Sequence, residues 1–273
     1  MKVVLFCGGR GIRLREVSES IPKPMVAVGY RPILWHVMRY YAHFGHRDFI
    51  LCLGYRGDAI KEYFLRYEEA LSNDFVLSGG GRDIELLGSD IGDWRITFAD
   101  TGLDTTVGER LRRVRHHLEG EELFLANYGD TLTDAPLDWL VDEARASGAV
   151  ASFLSVKASV YPFRILDTSP DGRVRALLRP ADADLWINGG YFTLRREIFD
   201  NLHPGEELVE APFARLAAAG RLHTSRYEGF WAPMDTLRDV ERLEQLARTG
   251  TPPWASPASG VPAAPVAVAD GPR

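Results

Sequence analysis

The sequence predicts an α/β fold with a mixed, mostly parallel sheet covered on both faces by helices. Three observations carry that prediction. Residues 2–7 and 48–53 are near-continuous apolar runs that stop at Gly8 and Gly54, as strands buried on both sides do. Residues 32–44 and 57–68 repeat apolar side chains at helical spacing. The two kinds of segment alternate, and parallel strands need such crossovers.

The remaining elements follow in order. After the first strand comes a Gly-rich turn, and then Pro22-Lys23-Pro24, which forbids helix locally. Residues 75–78 and 83–87 are strand-like pieces around Gly79-Gly80-Gly81, which predicts a hairpin-like excursion. Residues 94–99 read as strand, 108–118 as helix, and 122–126 as a strand running into Asn127-Tyr128-Gly129-Asp130. Residues 136–146 read as helix and 150–157 as extended chain. Short alternating segments follow at 163–167, 173–178 and 186–194, punctuated by Gly172 and Pro180. Helices at 209–219 and 236–248 flank a strand at 222–227. Beyond Trp254 the chain is mostly Pro, Ala, Ser, Gly and Val, so the reading is one domain over 1–254 and a disordered tail over 255–273.

Composition narrows the function. The 273 residues are 45% hydrophobic and 26% charged, which excludes collagen-like, low-complexity and wholly disordered chains. No apolar run approaches the roughly 18 residues of a membrane helix. The N-terminal run lacks the pattern of a secretion peptide, so a cytoplasmic protein is expected. Cys7 and Cys52 lie in strand-like runs and read as buried free thiols rather than a disulfide. The net charge is −6 with no long basic block, which argues against a nucleic-acid binder and leaves a small-substrate site open.

Three clusters could carry chemistry. Gly8-Gly9-Arg10-Gly11-Ile12-Arg13-Leu14 directly follows a buried strand. Such glycines let backbone N–H groups face a phosphate, and Arg13 adds a bidentate donor. The loop is neither a Walker loop nor a dinucleotide fingerprint, since no Gly-Lys-Ser/Thr follows and the third glycine is missing. An ordinary tight turn is the competing reading. Lys23 is one of only four lysines and stands between two prolines, which suggests a demand for a compact ammonium; a surface turn is the alternative. Tyr128-Gly129-Asp130 lies past the carboxyl end of a strand, where open α/β sheets bind ligands. Asp130 and Asp235 together suit a hard cation such as Mg²⁺. Alternatively, Asp130 is a turn residue and Asp235 an N-cap for the helix after it.

Taken together, these segments resemble the sugar-phosphate nucleotidyltransferases, most closely the glucose-1-phosphate cytidylyltransferases. The likeness runs from Met1 to about Trp254. It also includes Pro22-Lys23-Pro24-Met25, Pro32-Ile33-Leu34-Trp35-His36, Gly54-Tyr55-Arg56-Gly57, Asp100-Thr101-Gly102, Ile187-Asn188-Gly189-Gly190-Tyr191-Phe192 and Gly229-Phe230-Trp231-Ala232-Pro233-Met234-Asp235-Thr236. The resemblance implies a three-layer Rossmann-like α/β/α domain. It implies the reaction of CTP with a sugar 1-phosphate to give a CDP-sugar and pyrophosphate, with Mg²⁺. It implies that Arg13 and Lys23 hold phosphates and that Asp130 and Asp235 hold the metal. Gly8, Gly9, Gly11, Thr105, Arg110 and Gly129 would meet the nucleotide, with Arg110 donating to cytosine O2. Tyr128, Arg164, Arg179 and Asn188 would meet the acceptor. It also implies a homo-oligomer, with residues 71–95 and the C-terminal helix as candidate contact surfaces.

The chain departs from the family pattern in places. Ile12 stands where Thr is usual. Leu178-Arg179-Pro180 replaces Glu-Lys-Pro, and Arg164 replaces a small Gly. Losing an acceptor and gaining a bulky cation point to a changed acceptor: another sugar phosphate, or a non-sugar phosphate or phosphonate. Two other readings stay open, a catalytically silent nucleotide-sugar sensor and the same scaffold using dTTP or UTP. An NAD-binding oxidoreductase fits poorly.

Overall fold

The computed structural model describes residues 1–9, 21–158, 163–257 and 260. Gly11, Arg13 and nearly all of the expected tail lie outside them. Strands β1 (Val3–Phe6), β4 (Asp48–Leu53), β7 (Arg95–Asp100), β8 (Leu123–Asn127), β10 (Ala151–Lys157), β13 (Trp186–Arg195) and β14 (Leu222–Tyr227) form a seven-stranded sheet. Its order is β14-β10-β13-β8-β1-β4-β7. Only the two pairings of β13 are antiparallel; the other four are parallel. The sheet is therefore mixed and mostly parallel, as expected.

Burial explains why the central strands carry no polar alternation. Val3 and Leu5 of β1 join one core, while Val4 and Phe6 join the other. In β4, Phe49, Leu51 and Leu53 face the first core, and Ile50 and Cys52 the second. Helices α1 (Ile33–His43), α2 (Gly57–Leu65), α5 (Leu137–Ser147) and α7 (Leu237–Ala247) cover the first face. Helices α4 (Val107–Arg113) and α6 (Ala211–Ala218) cover the second, completing three layers. Each fully buried Leu or Phe contributes about 1.5–3 kcal/mol relative to exposure, so two apolar faces hold the central strands firmly. Cys7 and Cys52 are buried free thiols; burial holds Cys7 well above the usual thiol range and pushes Cys52 up to about 12.

Four small pieces lie outside the central sheet and its six covering helices. They are α3 (Glu69–Ser72), the pair β2 (Ala27–Val28) with β3 (Arg31–Pro32), the hairpin β5 (Phe75–Ser78) with β6 (Asp83–Leu86), and the hairpin β11 (Ile165–Thr168) with β12 (Val174–Leu178). In the β5–β6 turn, Gly79, Gly80 and Gly81 all have positive φ, so the three glycines make the reversal that the sequence suggested. Two expectations change. The helix expected over 108–118 is α4 followed by a separate 3₁₀ turn, Arg115–Leu118. Pro22-Lys23-Pro24, expected to forbid helix, admits a single 3₁₀ turn, Lys23–Met25, with a proline in its first turn, where the missing N–H costs nothing. Among the described residues, no helix is long and apolar enough to cross a membrane.

Candidate active site

The parallel strands β1, β4, β7 and β8 end on the same edge of the sheet, in Gly8, Gly54, Thr101 and Tyr128. A cleft of about 350 Å³ opens there. A larger cavity of about 690 Å³ lies elsewhere, beside α1 and residues 89–94; volume alone does not choose between them, and the cleft is the one at the strand ends with converging charges.

One side of the cleft is built by Arg110. Its side chain is buried and sits across the ends of three strands. Nη1 donates to Leu53 O (3.1 Å), Thr101 Oγ1 (2.7 Å) and Gly102 O (2.8 Å), and Nη2 donates to Gly8 O (3.1 Å) and Leu103 O (3.2 Å). A Cβ at Gly8 would collide with this guanidinium, and one at Gly54 would lie 2.8 Å from Nη1. Glycine is therefore required at Gly8 by close approach to an arginine. Thr105 lines the cleft beside Gly8 and Gly9. Thr106 caps α4 by accepting from Glu109 N–H, a Thr-x-x-Glu spacing legible in the sequence.

The opposite wall brings together residues distant in sequence. Gly129 adopts φ +77°, which turns the chain sharply after β8. Asp130 then leads into β9 (Thr131–Thr133), which pairs antiparallel with β15 (Trp231–Pro233). Thr131 faces Pro233, and Met234 N–H donates to Asp130 O at 3.0 Å. This two-stranded clip places Asp235 beside Asp130. Lys23 Nζ lies 2.6 Å from Asp130 Oδ2 and 2.6 Å from Asp235 Oδ1. The N-cap alternative for Asp235 is not what forms: Thr236 caps α7 in a capping box with Asp239, which leaves the Asp235 carboxylate for the cleft.

The charges of this trio are mutually dependent. Burial disfavours the Lys23 ammonium, yet the two carboxylates together hold its pKa above the ordinary value. Burial pushes the Asp130 carboxyl up, which Lys23 opposes and Asp235 reinforces. Two carboxylate oxygens converging on one cation position form a hard-oxygen donor set, and Mg²⁺ is commonly held by one or two carboxylates plus substrate phosphates. No larger His/Cys/Asp/Glu cluster occurs among the described residues. The residues present therefore fit Mg²⁺ bound together with a phosphate ligand.

On the remaining side, Asn188 Nδ2 donates to Tyr128 Oη at 3.1 Å, and its Oδ1 accepts from Gly190 N–H at 2.8 Å. Burial raises the Tyr128 phenol pKa, so it stays neutral. Gly190 has φ +79°, and a Cβ there would lie 2.6 Å from the Tyr128 ring. Glu207 also faces the cleft and accepts from the Val107 and Leu208 N–H groups, both at 3.1 Å. The sequence did not single it out, and neither periodicity nor a motif identifies it. Trp231 and Thr131, also missed, line the wall.

Arg164 and Arg179 are not brought into this cleft. Both are exposed on the β11–β12 hairpin, where Leu178 pairs with Ile165, and Arg179 is tied to Asp182 by two bonds of 2.7 and 2.8 Å.

Glu207 is held by its neighbour. Glu206 pairs with Arg215, and Thr106 Oγ1 donates to Glu206 O at 2.8 Å. The Arg215 hydrogen bonds draw the Glu206 carboxyl down to about 2. A lowered folded-state pKa contributes stability that is present above the unfolded value and lost as pH falls through the folded one. The expected result is that wild type loses this contribution between about pH 4.5 and about 2, while Glu206→Gln, already lacking it, shows a flatter acid limb in that window. Urea midpoints measured against pH for the two proteins check it; parallel limbs would refute the assignment.

Comparison with known proteins agrees with this architecture. The nucleotidyl transferase family model matches residues 2–212. Glucose-1-phosphate cytidylyltransferase of Salmonella typhi is 37% identical over 259 residues, covering 93% of this chain and 98% of that protein. The Salmonella typhimurium enzyme of the same name gives the same identity and coverage. Among solved structures, the UTP-bound UGPase of Acinetobacter baumannii superposes with a TM-score of 0.68 at 18% identity, covering 93% of this chain and 95% of that one, a likeness of fold. With the strand-end cleft, the paired aspartates and a match across most of its length, the chain belongs to the nucleotidyl transferase family.

Proposed function

We propose that this protein transfers CMP from CTP to glucose 1-phosphate or a related sugar 1-phosphate, releasing pyrophosphate, with Mg²⁺ as the metal. It would act in the cytoplasm and as a homo-oligomer. The observation that carries the reading is the convergence of Lys23, Asp130 and Asp235 at the strand ends. The 37% relatives named for this activity supply the base and the acceptor.

The chemistry asks for little beyond position and charge. An oxygen of the acceptor phosphate forms a bond to the α-phosphorus of CTP. The bond from that phosphorus to the bridging oxygen breaks, and pyrophosphate leaves with the electron pair. The acceptor is already anionic near neutral pH, so no protein base is required. Bound Mg²⁺ would neutralise charge developing on the phosphate oxygens. Asp130 and Asp235 would hold it, and Lys23 would pair with a phosphate once one is present. Gly8 and Gly9 let the nucleotide approach the backbone, while Arg110 keeps Gly8 in place. Thr105 would contact the nucleotide, and Tyr128 and Asn188 the acceptor. Arg13 and Gly11 would complete the phosphate loop.

The test is a pyrophosphate-release screen crossing CTP, dTTP, UTP, ATP and GTP with sugar 1-phosphates, other phosphates and phosphonates, with Mg²⁺ or chelator. The expected result is metal-dependent release with CTP and glucose 1-phosphate. Release with CTP and only another acceptor would keep the cytidylyl transfer and replace glucose 1-phosphate as the substrate, and silence across the panel would overturn the reading.

A further inference from the structure

Lys23 occupies the very place the two carboxylates prepare for a cation. Its ammonium is 2.6 Å from an oxygen of each, and its side chain is only 13% exposed. The backbone around it is pinned. Pro22 and Pro24 flank it, Met25 N–H donates to Pro22 O (2.8 Å), and Val26 N–H donates to Lys23 O (3.1 Å). Val26 O in turn accepts from Ile33 N–H at 2.9 Å, which anchors the turn to α1. With the backbone held by these bonds, a pivot of the four-carbon side chain is enough to take the ammonium away from the carboxylates.

We infer that Lys23 is a built-in stand-in for the metal, which excludes a divalent cation until a triphosphate arrives. Without nucleotide, a cation between Asp130 and Asp235 would face the Lys23 ammonium at contact distance, and the other carboxylate on the cleft wall, Glu207, is already engaged by the Val107 and Leu208 N–H groups. Its two charge-assisted bonds would break without replacement. A triphosphate changes this balance. It offers Lys23 a new anionic partner and brings its own oxygens to the cation. Metal and nucleotide therefore enter together, each raising the affinity for the other by the same factor. The device also answers a structural need, since two carboxylates this close are repulsive unless a cation lies between them. It explains why this position takes a lysine in an arginine-rich chain: a point-like ammonium fits between two carboxylates and can let go, whereas a planar fork would clamp one of them.

This inference rests on the reading of Asp130 and Asp235 as metal ligands, so the experiment measures metal binding and not turnover. Mn²⁺ binding is followed by electron paramagnetic resonance in nucleotide-free protein and with a non-hydrolysable CTP analogue. Wild type is expected to take up Mn²⁺ only with the analogue. Lys23→Met and Lys23→Gln are expected to bind Mn²⁺ alone at least about tenfold more tightly than wild type, the ordinary size of such coupling. Their melting temperatures should rise with Mn²⁺ while wild type stays unchanged, and Asp130→Asn added to either variant should abolish the effect. Wild type binding Mn²⁺ alone as tightly as the variants would overturn the inference while sparing the ligand assignment. Mn²⁺ binding in none of these proteins, even with the analogue, would overturn both. Where neither variant folds, the two wild-type isotherms decide: binding without nucleotide overturns the inference, and binding only with it supports it.

Discussion

Asp130→Asn is expected to lower kcat by about two to three orders of magnitude, the size of effect seen when one preorganised charge-stabilising group is removed. The amide keeps the shape but loses the negative charge that would hold the cation. The metal concentration giving half-maximal rate should rise in parallel. Folding should persist, because Lys23 still reaches Asp235 at 2.6 Å and the Met234–Asp130 backbone bond does not involve the side chain. Steady-state kinetics over a Mg²⁺ series, with circular dichroism to monitor the fold, check this. A variant retaining more than a tenth of wild-type kcat at every metal concentration would remove Asp130 from the proposed metal pair.

Arg110→Met should produce the largest loss of stability, about 3–5 kcal/mol, because buried hydrogen bonds from a charged donor are worth about 1.5–3 kcal/mol each and several are lost together. The methionine fills much of the space but leaves the carbonyls of Gly102 and Leu103 without the donor that now reaches them. Gly8 O would keep its weaker partner, Tyr55 N–H at 3.3 Å, and the ends of β1, β4 and β7 would loosen together. Urea unfolding measures the effect. The prediction also separates two roles for Arg110. A residue that reads cytosine O2 through a spare N–H would, on mutation, lose preference for CTP over UTP with stability nearly intact. A brace whose terminal N–H groups already serve five protein acceptors would lose stability and weaken every nucleotide alike. The second outcome is expected, because each such group is committed within the protein.

Much of the sheet was legible in the linear chain, for a simple reason. Strands buried on both faces must be apolar throughout, so Val3–Phe6 and Asp48–Leu53 announce themselves, and their glycine stops mark the edge where a site can form. Tyr128-Gly129-Asp130 was readable for the same reason. Helix ends were less so: the chain after Arg113 tightens into a 3₁₀ turn, although the apolar spacing continues through Leu118. The acceptor side was the least legible. Arg164 and Arg179 align with acceptor positions of the resembled family, yet within one chain the β11–β12 hairpin points them to solvent. Glu207, whose neighbours in sequence say nothing of a cleft, arrives there because Arg215 and Thr106 hold the preceding residue.

By itself the sequence determined the layered α/β architecture, the strand-end location of the site and the residue types that populate it, because burial and backbone conformation act locally and leave periodic or glycine-marked traces. Only the tertiary structure decided which of those residues meet. Asp130 and Asp235 are joined by a clip of two three-residue strands too short to leave a pattern, Lys23 is inserted between them from a proline-framed turn, and Arg110 ties three strand ends into one wall. Such contacts depend on register and on through-space charge between distant segments, and no local propensity encodes either.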